Sequence, residues 1–180
     1  MSYHLMIDLE TLGTRPGCVI RSIGAVGFDP GGTERGKGFY ANISRESCLE
    51  AGLHVDPATE AWWAEQSPEA RARLEQDQRP LREVAEELEA KFRSSGIEQV
   101  WSHGAGFDIP IWEAALHALG MRAPWKFWDA RDTRTLFWMA GLDMRSVPRE
   151  GTHHDALADA QHQVRCVQRA LLSLRERTGA

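Results

Sequence analysis

Tyr3-His4-Leu5-Met6-Ile7-Asp8-Leu9-Glu10 is the stretch on which the fold turns. Its middle is continuously apolar, as a strand covered on both faces must be, so it is read as a central β-strand. Side chains alternate along a strand, so Asp8 and Glu10 share one face while Leu9 points into the opposite layer. Two carboxylates on one face of a buried strand are costly unless they are paired or bind a cation. The other reading is a strand end that emerges into water with both acids hydrated, and this pair alone leaves the two readings open.

Outward from that strand, Val19 to Phe28 reads as a second strand, Asp29-Pro30-Gly31-Gly32 as a turn, and Lys37 to Ile43 as a third strand. Short turns between consecutive strands imply an antiparallel meander. Helical stretches follow at Ser44 to Ala51, Pro57 to Gln66, Pro68 to Glu75 and Pro80 to Arg93, the last with Leu81, Val84, Leu88 and Phe92 on one stripe. Ile97 to Trp101 is a fourth strand that delivers Asp108 through the glycine-rich turn His103-Gly104-Ala105-Gly106-Phe107. Ile109 to Leu119 is helical, Phe127 or Trp128 begins a short fifth strand, and Thr133 to Ala140 is helical. From Asp155 onward, Leu157, Ala160, Val164, Val167, Leu171 and Leu174 recur at three- and four-residue steps, the mark of an amphipathic helix. The pattern predicts an α/β fold, a mixed sheet with helices on its faces, in a single domain over residues 1–180.

Four acids and a histidine stand out against this frame: Asp8, Glu10, Asp108, His154 and Asp159. Phosphodiester hydrolysis needs an activated water, neutralisation of charge on the phosphoryl oxygens and a stabilised leaving alkoxide. Two divalent ions roughly 3.5–4 Å apart supply all three. Mg²⁺ and Mn²⁺ prefer hard oxygen ligands, which makes the four carboxylates candidate metal ligands. Imidazole is the side chain best suited to take a proton near neutral pH, so His154, just ahead of the last helix, is the candidate base. His153 competes with it, and His154 is preferred on motif spacing alone. Asp155 is an alternative ligand, although a helix cap is the favoured role.

These five residues resemble the DEDD superfamily of 3′–5′ exonucleases, in the subgroup whose histidine precedes the last Asp with four residues between, as His154 and Asp159 do. The tyrosine subgroup would require Tyr where this chain has Asp155. Met6-Ile7-Asp8-Leu9-Glu10-Thr11-Leu12-Gly13, Ile23-Gly24-Ala25-Val26, Ala61-Trp62-Trp63, Asp132-Thr133-Arg134-Thr135-Leu136 and His154-Asp155-Ala156-Leu157-Ala158-Asp159 are further similar to a small bacterial and phage branch, labelled exodeoxyribonuclease VIII-like or exoribonuclease-like. The resemblance runs from about residue 3 to 170. It implies a ribonuclease-H-like sheet with three antiparallel strands followed by two parallel ones. It also implies hydrolysis from the 3′ end of single-stranded or short RNA or DNA, with release of nucleoside 5′-monophosphates. Thr11 and Leu12 would lie against the terminal nucleotide, with Phe107 near the substrate. A homodimer is a further expectation, since close relatives often pair. One departure is His103-Gly104, where many relatives carry His-Asn.

The net charge of −5 sets this chain apart from proteins that grip long duplexes by phosphate contacts. It favours a small footprint on single-stranded ends. Three well-separated cysteines, Cys18, Cys48 and Cys166, suggest neither a disulfide framework nor a zinc site. With no run of about eighteen apolar residues and no secretion-signal pattern, a cytoplasmic protein without a membrane partner is expected. Trp62, Trp63, Trp125 and Trp128 suit base stacking or packing, with packing favoured; Trp101, Trp112 and Trp138 are expected in the core. Arg131 and Arg134 suit phosphates and structural carboxylates equally. Two other functions stay open: a module of the same fold that binds nucleic-acid ends or nucleotides without cutting, and a metal-free interaction domain.

Overall fold

The computed structural model describes residues 3–33, 36–151 and 153–179, with the side chain of Thr178 excepted. Five strands, β1 (Tyr3–Thr11), β2 (Ile20–Phe28), β3 (Phe39–Asn42), β4 (Ile97–Ser102) and β5 (Ala130–Asp132), form one sheet in the order β3-β2-β1-β4-β5. β1 pairs antiparallel with β2, and β2 with β3, whereas β4 lies parallel to both β1 and β5. The expected central strand, meander and switch to parallel pairing are all present. Phe127 and Trp128 do not begin the fifth strand: Phe127–Asp129 is a 3-10 turn, closed where Asp129 accepts from the Lys126 backbone, and β5 starts only at Ala130.

The crossover from β3 to β4 carries α1 (Arg45–Glu50), α2 (Pro57–Ala64), α3 (Pro68–Leu74) and α4 (Leu81–Ser94). Ser44, Asp56 and Ser67 each accept a backbone N–H at the start of their helices, and Pro57 and Pro68 supply the preset backbone angle of a first helical residue. α5 (Asp108–Ala118) follows β4, α6 (Thr133–Ala140) follows β5, and α7 (Ala156–Thr178) closes the chain. Alternation along β1 separates two cores. Leu5, Ile7 and Leu9 pack with Ile23, Leu81, Val84 and Trp112, while Met6 faces Val26, Phe28, Phe137, Val164 and Val167 on the α7 side. Cys18, Cys48 and Cys166 are buried free thiols.

Trp138 is not in the core. α6 buries Thr133, Phe137 and Ala140, and Trp138, one residue round the helix from Phe137, is 82% exposed. Gly24 is where α7 meets the sheet. It stands opposite Asp8 across the β1–β2 ladder, and a Cβ there would lie 2.2 Å from the backbone carbonyl of Ala156. The first turn of α7 therefore rests directly on β2, which sets the height of Asp159 above β1.

Candidate active site

Asp8 and Glu10 project from β1 toward α7. Gln163, one turn beyond Asp159 on α7, donates to Asp8 Oδ1 at 2.6 Å, and Glu10 is 7% exposed. Asp108, the first residue of α5 and 3% exposed, accepts the Leu9 backbone N–H at 3.0 Å, which pins it against β1. Asp159 enters from the first turn of α7. His154 sits just before that helix in a left-handed conformation (φ 61°), with Nδ1 4.0 Å from Glu10 Oε1. Ligand atoms of Glu10, His154 and Asp159 all lie within 4.8 Å of one another. Asp8 and Asp108 stand outside that tight trio, but the charge of Asp108 acts on Glu10 and that of Glu10 on Asp8.

The electrostatics follow from crowding acids in a dry place. Burial, then the charges of Asp108 and Glu10, raise Asp8 well above the usual carboxylate range, against the hydrogen bond from Gln163. Burial and Asp108 push Glu10 up to about 8, and burial takes Asp108 to about 7 despite the Leu9 N–H. Burial, His153 and Arg149 lower His154 below its usual 6.5, so its imidazole is neutral near pH 7 and able to accept a proton. Carboxylates that repel one another and offer only oxygen are the donor set of a hard divalent cation, and these residues fit one. Asp155 is the N-cap of α7, accepting from Leu157 and Ala158, and also pairs with Arg73 at 3.0 Å. His153 is exposed.

A groove of about 510 Å³ opens beside Glu10, lined by Thr11, Thr14, Trp62, Trp63 and Phe107 among others. Trp63 is buried and donates its indole N–H to the Thr11 carbonyl at 2.8 Å, whereas Trp62 is 42% exposed. Both rings meet His154 edge-on, with centroids at 5.1 Å for Trp62 and 5.9 Å for Trp63. Thr11 and Phe107 are therefore at the groove. Leu12 is not: its side chain is in the core, its N–H donates to Val19 and its carbonyl accepts from Asp56. Trp125 is buried and bonded to Glu113, and Arg131 donates to the carbonyls of Trp128 and Ala130, so both serve structure. Over Gly104, the Arg134 side chain takes the space a side chain would need, with Nε 3.2 Å from the Cβ position.

Three residues of the site carry no motif, and two of them escape a reading of the sequence alone. Gln163 is within reach of one, because it lies four residues beyond Asp159 on one helix face. Arg73 and Arg149 come from segments with no motif. Arg149 forms an ion pair with Asp159, and its charge also reaches Asp8 and Glu10.

A mixed sheet that carries acids and a histidine at the end of its central strand belongs here to a known class, the 3′–5′ exonucleases. The model of the 3′-5′ exoribonuclease Rv2179c-like domain matches residues 3–171, and the chain belongs to that family. It is 26% identical over 204 residues to the exodeoxyribonuclease of Enterobacteria phage T4, covering 94% of this chain and 89% of the phage protein. Its fold is shared with cell-death related nuclease 4 (TM-score 0.67, 13% identity, 96% of this chain and 64% of that one). It is shared also with the nuclease domain of 3′hExo, a DEDDh family member bound to rAMP (0.60, 13%, 95% and 92%). A third is the zinc-bound E. coli exonuclease I complex with single-stranded DNA (0.66, 15%, 98% of this chain), of which this chain spans only 41%.

Proposed function

We propose that residues 3–171 act as one metal-dependent domain that removes nucleoside 5′-monophosphates from the 3′ ends of single-stranded RNA or DNA. Asp8, Glu10, Asp108 and Asp159 would hold two divalent ions, Mg²⁺ or Mn²⁺, and His154 would take the proton from the attacking water. When bound, the ions neutralise the phosphate and make water a stronger nucleophile. The rest falls to the chain itself. β1 and α5 hold their three acids rigidly, and Gln163 orients Asp8 through one of its two oxygens. Trp62 and Trp63 confine the His154 ring to the side facing Glu10. The groove beside Glu10 is large enough for one nucleotide, with Thr11 and Phe107 on its walls.

The observation that carries this reading is the convergence of Glu10, His154 and Asp159, with Asp108 near enough to raise the proton affinity of both Asp8 and Glu10. A net charge of −5 fits a footprint of a few terminal nucleotides. The relatives act on or bind both DNA and RNA ligands by name, and so leave both substrates in play. Digestion of 5′-labelled single-stranded RNA and DNA of equal sequence, with Mg²⁺ or Mn²⁺, tests it. A ladder shortening from the 3′ end, absent with His154→Ala, is the expected result, and the faster substrate sets the preference. Nucleotide binding without cleavage would replace the enzyme with an end-binding module.

A further inference from the structure

Arg149 holds a place that nothing in the proposed reaction requires. Its guanidinium lies among the carboxylates, paired with Asp159, with the two side chains 24% and 16% exposed. It also draws the carboxyls of Asp8 and Glu10 downward, against the burial that raises them. Yet it is only partly held. Its Nη2 meets Asp159 Oδ1, while its Nε is shielded from water and makes no hydrogen bond. Arg73, which pairs with Asp155, is the contrast. It donates from Nε to Asp155 Oδ2 at 3.0 Å and lies 4.1 Å from the centre of the Tyr40 ring. Arg73 is held by a carboxylate and a ring, Arg149 by Asp159 of the acid cluster. A largely buried guanidinium with an unmet donor is expensive to keep wherever another cation can replace it.

We propose that Arg149 is the resident counter-ion of the metal-free site, exchanged for divalent cations when they bind. The inference rests on the metal-dependent reading of the same carboxylates. One positive charge steadies four acids incompletely, and divalent ions in the same space would repel it. Loading the site then requires Arg149 to leave. It stands five residues before His154.

The exchange makes a prediction with two arms. Thermal melts of wild type, Arg149→Met and Arg149→Lys are compared in EDTA and in saturating Mn²⁺, and Mn²⁺ binding is titrated by calorimetry at pH 8. Arg149→Met should melt below wild type in EDTA, and that gap should close or reverse in Mn²⁺. Its Mn²⁺ affinity should be about fivefold tighter or more, because no guanidinium then occupies Asp159 or repels the dication. Arg149→Lys, which keeps the charge, should stay near wild type, and a Met variant that folds only with Mn²⁺ is the extreme form of the expected result. Mn²⁺ affinity equal to or weaker than wild type in Arg149→Met overturns the exchange while leaving the metal site standing. Folded wild type that binds no Mn²⁺ overturns both readings together.

Discussion

The two halves of the carboxylate cluster are built differently. On the sheet side, Asp8 and Glu10 belong to a strand paired on both edges, and Asp108 is tied to it by the Leu9 N–H. On the helix side, Asp159 depends on where α7 lands, and His154 and Arg149 stand in the segment before it. Ligands for a charged centre are placed by many backbone bonds. The base is placed by ring edges, one ion pair at Asp155 and a left-handed turn. Substitutions on the two sides should therefore fail differently.

The largest contrast is Asp8→Asn against His154→Ala. Each should lower kcat by about a thousandfold. Calorimetry should show Mn²⁺ affinity falling at least about tenfold for Asp8→Asn and by less than about twofold for His154→Ala. Equal loss of affinity in both would erase the distinction between the halves. Next in size is Gly24→Ala, which forces a methyl onto the Ala156 carbonyl, a backbone atom that has nowhere to go. Denaturation should show a loss of about 2–4 kcal/mol, with activity falling beyond what unfolding explains, because Asp159 and His154 move together. Retention of wild-type stability and rate would mean that α7 is free to slide on the sheet.

A pH series in EDTA probes the sheet side on its own. Glu10 keeps its proton to about 8 and Asp108 to about 7 in the folded state, against ordinary values of 4.5 and 3.8. Between those limits the folded state binds more protons than the unfolded one, so stability should fall as pH rises from about 5 to 8. Glu10→Gln should flatten part of that slope and add on the order of 2 kcal/mol at pH 8, which urea denaturation can read. A flat profile in wild type would show the acids to be better solvated than their burial implies. The smallest effect is expected from Trp62→Ala, which opens the groove and frees one side of His154. A loss of about tenfold in kcat/KM, shared between KM and kcat, is the signature of a ring that touches both substrate and base. A change in KM alone would leave the base to Trp63 and the Arg73–Asp155 pair.

Much of the sheet side is legible in the amino-acid sequence. An apolar run ending in Asp8-Leu9-Glu10 has one natural place, the middle of a sheet, and periodicity alone sets which face the acids share. Asp159 and the cap at Asp155 come from helical spacing in the same way. Harder to see is whatever depends on contacts between distant segments. Arg149 and Arg73 carry no local signal, because their meaning lies in what faces them. Leu12 comes directly after the acids in sequence, but the chain turns it into the core. Trp138 defies the expectation that a large aromatic residue is buried, because an eight-residue helix lying on α7 has only one side to bury.

The hydrogen bond between Gln163 and Asp8 joins residues 155 positions apart. During synthesis at roughly 5–20 residues per second, that separation amounts to roughly 8–30 s. Throughout this interval the acids of β1 have been made, but the helix that completes the cluster does not yet exist. The cluster cannot close while residues 8 to 163 are still being made. Its own chain topology acts as a timer.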